Sequence, residues 1–131
     1  MSAEHPNVTA ARRIFDAFGG GDPRALFELL DESIVWRVSG PLSVASEYTG
    51  RDEVFELFRK TRRLTGGTYF STLRWALADD EHATVLYRAT GEREGRKLDI
   101  DQVLLCDVRG GRWVDVTALP VDRAAFDAFW A

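Results

Sequence analysis

The spacing of apolar residues changes once along this chain, and that change limits the folds open to it. Up to Gly66 most apolar residues recur at helical spacing, whereas after Gly67 they fall at nearly every second position, as in strands. Helices grouped first and strands grouped later favour an α+β domain over a doubly wound parallel sheet. The length suits one domain, so we expect residues 1–131 to form a single unit in which only residues 1–7 are flexible.

The first half of the chain predicts three helices and one certain strand. The first helix runs from residue 8 to the glycines at 19–21, and the second follows Asp22–Pro23 and ends near residue 31. A strand over 33–39 precedes a loop or short edge strand at 42–49. The third helix begins after Gly50 and ends at Gly66, with acidic residues in its first turn and arginines in its last.

The second half predicts an antiparallel meander of four strands over 68–78, 83–92, 97–108 and 112–119. Asp122 then caps a closing helix over 123–130. We expect the N-terminal helices to pack on the concave face of a curved antiparallel sheet. Such an arrangement leaves a hollow between sheet and helices, which would serve as a pocket.

The charge balance excludes some classes of partner. The net charge is −4 and the sequence pI is near 5.2, whereas nucleic acids and anionic membranes are held mainly by clustered Lys and Arg. We therefore expect a small apolar or aromatic ligand, and neither nucleic acid nor membrane as partner. The first residues lack the pattern of a secretory leader, and no apolar run approaches about 18 residues, so we expect a cytoplasmic protein.

The residues that usually hold metals and cofactors are sparse. Cys106 is the one cysteine and lies in an apolar strand, so it is predicted to be a small buried hydrophobe. His5 lies near the terminus and His82 in a turn, which leaves no ligand set for zinc or haem. The glycine groups do not follow a strand into a helix as nucleotide-binding loops do. We expect no metal and no cofactor.

Two acidic residues on one predicted strand are candidates for acid/base chemistry. Asp99 and Asp101 lie two positions apart, so they project from the same face of the strand. Val103 and Leu105 share that parity, which predicts that this face points into the core. Apolar surroundings raise the pKa of a carboxyl group and suit it to act as a general acid or hydrogen-bond donor.

Arg37 lies in the middle of an apolar strand, where an unpaired guanidinium is costly to bury. It would anchor a ligand carboxylate or enolate, keep Asp101 ionised, or point outward from an edge strand. Trp36 takes the other face, and periodicity alone leaves open which of the two faces the pocket. In the alternative interpretation of the acids, Asp101 pairs with Arg37 or Arg88 and Asp99 faces solvent.

The predicted site therefore has two parts. Its catalytic residues are Asp101, Arg37 and Asp99. Aromatic side chains can line a pocket for a planar ligand with a few polar tips. The predicted substrate-binding residues are Trp36, Tyr48, Tyr69, Tyr87, Val116 and Ala118. Tyr87 is the best candidate for a pocket hydroxyl.

Several segments together resemble SnoaL-like members of the nuclear-transport-factor-2-like superfamily. They are AFGGGDP at 17–23, VWRV at 35–38, YTGRDEV at 48–54, DEH at 80–82, GGR at 110–112 and FW at 129–130. The resemblance implies a cone-shaped fold with a pocket, and a homodimer formed through the outer face of the sheet. Its relatives include isomerases, aldol cyclases of polyketide pathways, dehydratases, epoxide hydrolases and non-catalytic binders, so it does not fix a reaction.

Ketosteroid isomerase is the best-understood relative, and its functional positions are only partly kept. Its general base falls near Arg37, its first-helix tyrosine falls at Ile14, and its protonated aspartate falls at Asp101. Steroid isomerisation by that mechanism is not expected. The leading hypothesis is a cofactor-independent isomerase, cyclase or lyase acting on a small, largely apolar carbonyl compound. The alternatives are a non-catalytic binding or accessory domain and an epoxide hydrolase.

Overall fold

The computed structural model describes residues 4–131, in which helices and strands follow the predicted order. The helices are α1 (Pro6–Phe18), α2 (Arg24–Leu29), α3 (Arg51–Leu64) and α4 (Arg123–Trp130). The strands are β1 (Leu30–Val38), β2 (Ser46–Thr49), β3 (Phe70–Ala78), β4 (His82–Arg93), β5 (Arg96–Arg109) and β6 (Arg112–Pro120). The fold is α+β, with a curved, unclosed sheet and helices packed against it.

The start of α1 differs from its prediction. The His5 side chain accepts a hydrogen bond from the backbone N–H of Asn7 and so caps the helix. The Asn7 amide is buried and donates to the carbonyl of Asp79 in the β3–β4 turn at 2.9 Å. A cap and a tertiary hydrogen bond thus involve residues 5–7, and residues 1–3 of the segment that was predicted to be flexible lie outside the described residues.

The sheet has the strand order β2-β1-β6-β5-β4-β3. Neighbouring strands run antiparallel except for β1 and β6, which are parallel and place Trp36 opposite Val116. The sequence predicted an antiparallel sheet throughout. The difference arises because β1 and β6 are distant in the chain, so no hairpin turn imposes an antiparallel pairing on them.

The β4–β5 hairpin fixes which side chains face the helices. Glu94 and Gly95 have φ angles of 50° and 77° and form a two-residue turn of the kind that matches strand twist. The register that follows places Tyr87 opposite Gln102 and Arg88 opposite Asp101. Because side chains alternate along a strand, the two pairs lie on opposite faces of the sheet.

The core lies between the inner face of the sheet and the helices. On β5 the even-numbered residues from Leu98 to Val108 are buried, and on β4 the odd-numbered residues from Ala83 to Gly91 are buried. The structure buries the Cys106 thiol, and this burial raises its pKa. Among the described helices, none combines the length and the apolar character that crossing a membrane requires.

Candidate functional site

A cavity of about 240 Å³ lies between the helices and the inner face of the sheet. Its helical wall is formed by residues of α1, α2 and α3, including Phe15, Phe18 and Phe58. The Phe18 ring packs nearly perpendicular to both of the other phenyl rings, with about 5 Å between centroids. This wall is therefore a connected aromatic surface, which suits a flat apolar ligand.

The sheet wall of the cavity carries a hydrogen-bonded polar group at its buried end. Tyr87 and Tyr69 both line the cavity, beside Trp36 and Leu104. The Tyr87 oxygen accepts a hydrogen bond from Nε2 of Gln102 at 2.6 Å. The Gln102 side chain is buried, and its Oε1 atom has no hydrogen-bond partner among the described residues.

Both tyrosines keep their protons at neutral pH. Burial raises the pKa of the Tyr87 hydroxyl well above its usual value, and the neighbouring Tyr69 raises it further. Burial also raises the pKa of Tyr69, against smaller opposing effects of Ser71, Tyr87 and Gln102. Each hydroxyl can therefore donate a hydrogen bond to a ligand oxygen, but neither is suited to act as a base.

The mouth of the cavity lies where the end of α3 faces the start of β3. Arg62 and Phe70 line the cavity and are exposed, in contrast to the buried Trp36, Tyr87 and Leu104 at the other end. Arg62 is the one charged residue among the lining residues that the structure describes. The cavity thus has an apolar body, a neutral polar end and a cationic mouth.

Three of the six predicted substrate-binding residues line this cavity, namely Trp36, Tyr69 and Tyr87. Val116 and Ala118 are packed in the core beside it and are not part of its lining. The Tyr48 hydroxyl is used elsewhere, since it donates to the Val44 carbonyl at 2.7 Å and accepts from Lys60 Nζ at 3.0 Å.

Arg37 lies on the outer face of the sheet, and Trp36 takes the inner face. The Arg37 guanidinium donates to Asp115 at 2.6 Å and to Glu47 at 3.3 Å. The hydrogen bond from Arg37 to Asp115 is the main cause of the raised pKa of this arginine. The predicted catalytic position of Arg37 is therefore wrong, because β1 buries its bulky apolar residue and leaves the cation outside.

Asp101 and Asp99 also lie on the outer face, so their predicted position in the pocket is wrong. Asp101 accepts hydrogen bonds from Arg74 at 3.0 Å and from Arg88 at 3.2 Å. Asp99 is exposed and accepts from Arg88 at 2.7 Å. The hydrogen bond from Arg74 is the largest of the effects that lower the pKa of Asp101. An ionised carboxylate held by two arginines is the opposite of the protonated pocket acid that the sequence predicted.

This ion pairing makes a pH-dependent contribution to stability. Because the pKa of Asp101 is lower in the folded than in the unfolded chain, its contribution is complete above the unfolded value and is lost as pH falls through the folded value. We expect Asp101→Asn to destabilise the protein at pH 7 and to have little effect at pH 2. Urea unfolding at several pH values would measure this difference.

A matched control for that experiment is Asp107→Asn on the same face of β5. Asp107 is exposed and takes part in no ion pair among residues 4–131. Its replacement should give a small effect at both pH values. A constant difference between wild type and Asp101→Asn across the pH range would contradict the assigned pairing.

Sequence reasoning missed Gln102 and Arg62. The sequence did contain a pattern that predicts an inward Gln102. The apolar residues two and four positions away on either side form a longer series than those aligned with Asp101; they are Leu98, Ile100, Leu104 and Cys106. Arg62 carried no such signal, because it belongs to a basic stretch that is typical of a solvated helix face. Among the described residues, no group of three His, Cys, Asp or Glu side chains is placed to hold a metal ion.

Comparison with known proteins agrees with this architecture. An uncharacterised protein of Mycobacterium tuberculosis is 31% identical over 126 residues, which are 95% of this chain and 96% of that protein. The structure of Bal32a, from a soil-derived mobile gene cassette, is similar with a TM-score of 0.89 and 33% identity, over 96% of this chain and 97% of Bal32a. TerC, co-crystallised with polyporic acid, has a TM-score of 0.79 and 16% identity, over 96% and 98% of the two chains.

The family assignment rests on both sequence and fold. The SnoaL-like domain matches residues 11–116, which is most of the chain. The solved structures share the arrangement of helices on a curved sheet, and one of them is described as an NTF2-like protein of Burkholderia pseudomallei. The chain belongs to the family of proteins with a SnoaL-like domain.

Proposed function

We propose that this protein binds a small, flat, largely apolar molecule that carries a carbonyl or hydroxyl oxygen. The observation that carries the proposal is the pair of neutral hydroxyls of Tyr69 and Tyr87, the latter hydrogen-bonded to Gln102, at the buried end of a mostly apolar cavity. Apolar area supplies most of the affinity in such sites, and a few polar groups fix the orientation. TerC, which shares the fold, was co-crystallised with a small molecule.

The direction of the hydrogen bonds indicates how a ligand oxygen would be held. Because the Tyr87 oxygen already accepts from Gln102, its own hydrogen is directed to another acceptor, for which the neighbouring Tyr69 hydroxyl and a ligand oxygen compete. A carbonyl oxygen would accept that hydrogen in water-poor surroundings, where hydrogen bonds are strong. Gln102 acts as a positioning residue because it fixes the direction of the Tyr87 hydroxyl.

A second candidate is catalysis without a cofactor, as an isomerase, cyclase or lyase acting on a small apolar carbonyl compound. A neutral tyrosine hydroxyl aimed at a carbonyl oxygen would stabilise the negative charge of an enolate as it forms. The described lining residues include no Asp, Glu or His that could take the proton, which favours binding over proton abstraction. Epoxide hydrolysis is not proposed, because it requires inward carboxylates and both Asp99 and Asp101 are paired with arginines outside.

The binding proposal can be tested with prodan, an uncharged naphthyl ketone whose emission shifts to the blue when it leaves water. Wild type should bind prodan, and Tyr87→Phe should weaken binding by about three- to tenfold, which is the usual net worth of one hydrogen bond. Binding would be measured by fluorescence titration. The matched control is Tyr48→Phe, since the Tyr48 hydroxyl bonds outside the cavity.

Two results would contradict the proposal. Prodan emission that stays unshifted at millimolar protein would argue against any binding in the cavity. Equal losses of affinity in Tyr87→Phe and Tyr48→Phe would argue against the assigned oxygen site.

To separate binding from catalysis, deuterium uptake at the carbon next to the carbonyl of the bound ketone would be followed by NMR, since only catalysis speeds that exchange.

We also propose that the protein forms a homodimer through the outer face of its sheet. An apolar row crosses four strands there, in which Trp75 lies opposite Leu86, Leu86 opposite Val103, and Val103 opposite Leu119. Trp75 is 43% exposed and Leu119 is 40% exposed. An apolar row of this kind, bordered by the Arg88 and Asp101 cluster, supports an interface rather than a solvated surface.

A further inference from the structure

We propose that the ligand of the cavity is an anion and that Arg62 binds its negative group at the mouth. The inference rests on the proposed binding function and adds the charge of the ligand and the residue that selects it. The class of ligand that we assign is a flat, largely apolar monocarboxylate or an acid of similar shape.

The charges that line the cavity differ in sign from the net charge of the chain. The chain has 21 acidic and 17 basic residues, yet the lining residues in the described part of the chain include one arginine and no acid. The charge that lines the mouth is therefore positive although the protein as a whole is negative. A cavity with such a lining favours an anionic ligand over a neutral one of the same shape.

The arginines near the end of α3 differ in whether their side chains are already paired with an acid. Arg59 and Arg63 both contact Glu56, at 3.0 Å and 3.6 Å. The Arg62 side chain takes part in no ion pair or hydrogen bond among residues 4–131, and its backbone carbonyl accepts from the Thr65 hydroxyl and from the Gly67 N–H. Its donors are therefore available to a ligand.

The charged group of the ligand should lie at the mouth of the cavity, because the two ends differ in exposure and in the partners that they offer. A carboxylate at the buried end would lose its hydration and meet only neutral partners, which is costly. At the mouth the same group would stay partly hydrated and would meet the planar fork of donors of Arg62. The neutral oxygen of the ligand would then lie toward Tyr87 and its apolar body along the phenylalanine wall.

The test compares 2-naphthoate with 2-naphthamide, which have nearly the same shape but differ in charge. Each would displace prodan from wild type in a fluorescence titration at low salt. We expect naphthoate to bind roughly fivefold more tightly, as for one partly exposed ion pair, and this advantage to shrink as salt is raised. Arg62→Gln should remove the advantage, because it weakens the binding of naphthoate more than that of naphthamide.

The matched control is Arg63→Gln, the next residue on α3, whose side chain pairs with Glu56 and does not line the cavity. This variant should keep the preference for naphthoate. Equal affinities of both compounds in wild type, or a preference that survives in Arg62→Gln, would overturn the inference while displacement of prodan still supported a binding cavity. If neither compound nor prodan binds, the proposed function fails and the inference fails with it.

Discussion

Replacing Trp36 by alanine should lower the free energy of unfolding by about 3–5 kcal/mol, the usual cost of removing a buried large aromatic side chain. Trp36 is only 5% exposed and packs between Phe58 on α3 and Trp113 on β6. It therefore joins the helical layer to the centre of the sheet. Urea unfolding followed by far-UV circular dichroism would measure the loss without relying on tryptophan fluorescence.

The neighbouring residue supplies the control, because consecutive side chains on a strand lie on opposite faces. Arg37→Ala should cause a much smaller loss, since its ion pairs with Asp115 and Glu47 are partly exposed. A larger loss from Arg37→Ala than from Trp36→Ala would reverse the assignment of faces on β1. Such a result would return Arg37 to the site as a candidate anchor.

Replacing Trp75 by glutamate should raise the dissociation constant of the proposed homodimer at least about 100-fold, because a buried aromatic anchor at an interface is commonly worth more than 2 kcal/mol. In an isologous dimer each substitution is present twice and a charge is placed against an apolar surface. Sedimentation equilibrium over a range of concentrations would measure the constant. The variant should keep the far-UV circular dichroism of wild type, since Trp75 is 43% exposed in the single chain.

The matched control for this experiment is Leu42→Glu. Leu42 is 93% exposed but lies in the loop between β1 and β2, away from the apolar row on β3 to β6. It should leave the dissociation constant unchanged. A wild-type protein that is monomeric at 100 μM, or a Trp75→Glu variant that dimerises as tightly as wild type, would contradict the interface.

The order of elements could be predicted from the sequence because every element except the short β2 has a clear local signal. Helical spacing marked the helices, together with glycines after α1 and α3 and acidic residues in the first turn of α3. Alternation and turns such as Glu94–Gly95 marked the long strands. The parallel pairing of β1 with β6 could not be predicted in this way. It depends on packing between segments far apart in the chain, for which a local pattern holds no information.

The site was predicted less well, and β5 shows the reason. Asp101 and Gln102 are neighbours, so choosing the wrong parity exchanges the outer and inner faces of the whole strand. The parity was judged from Val103, which belongs to the outer apolar row, and from Leu105, which is apolar but 45% exposed on the same face. When a strand has apolar residues on both faces, the alternation of polar and apolar residues does not show which face is buried. On β4 the outward residues include Arg88 and Thr90, so the alternation correctly predicted that Tyr87 lies inside.

The parallel pairing of β1 with β6 also has a consequence for how the protein folds. Val35 and Asp115 are partners although they lie roughly 80 residues apart, so this contact closes a very long loop. The β3–β6 meander can form through short hairpins, and β1, which carries Trp36, should join it late. The cavity wall is then completed only near the end of folding. A ligand held against Trp36 should accordingly slow unfolding and leave the folding rate almost unchanged.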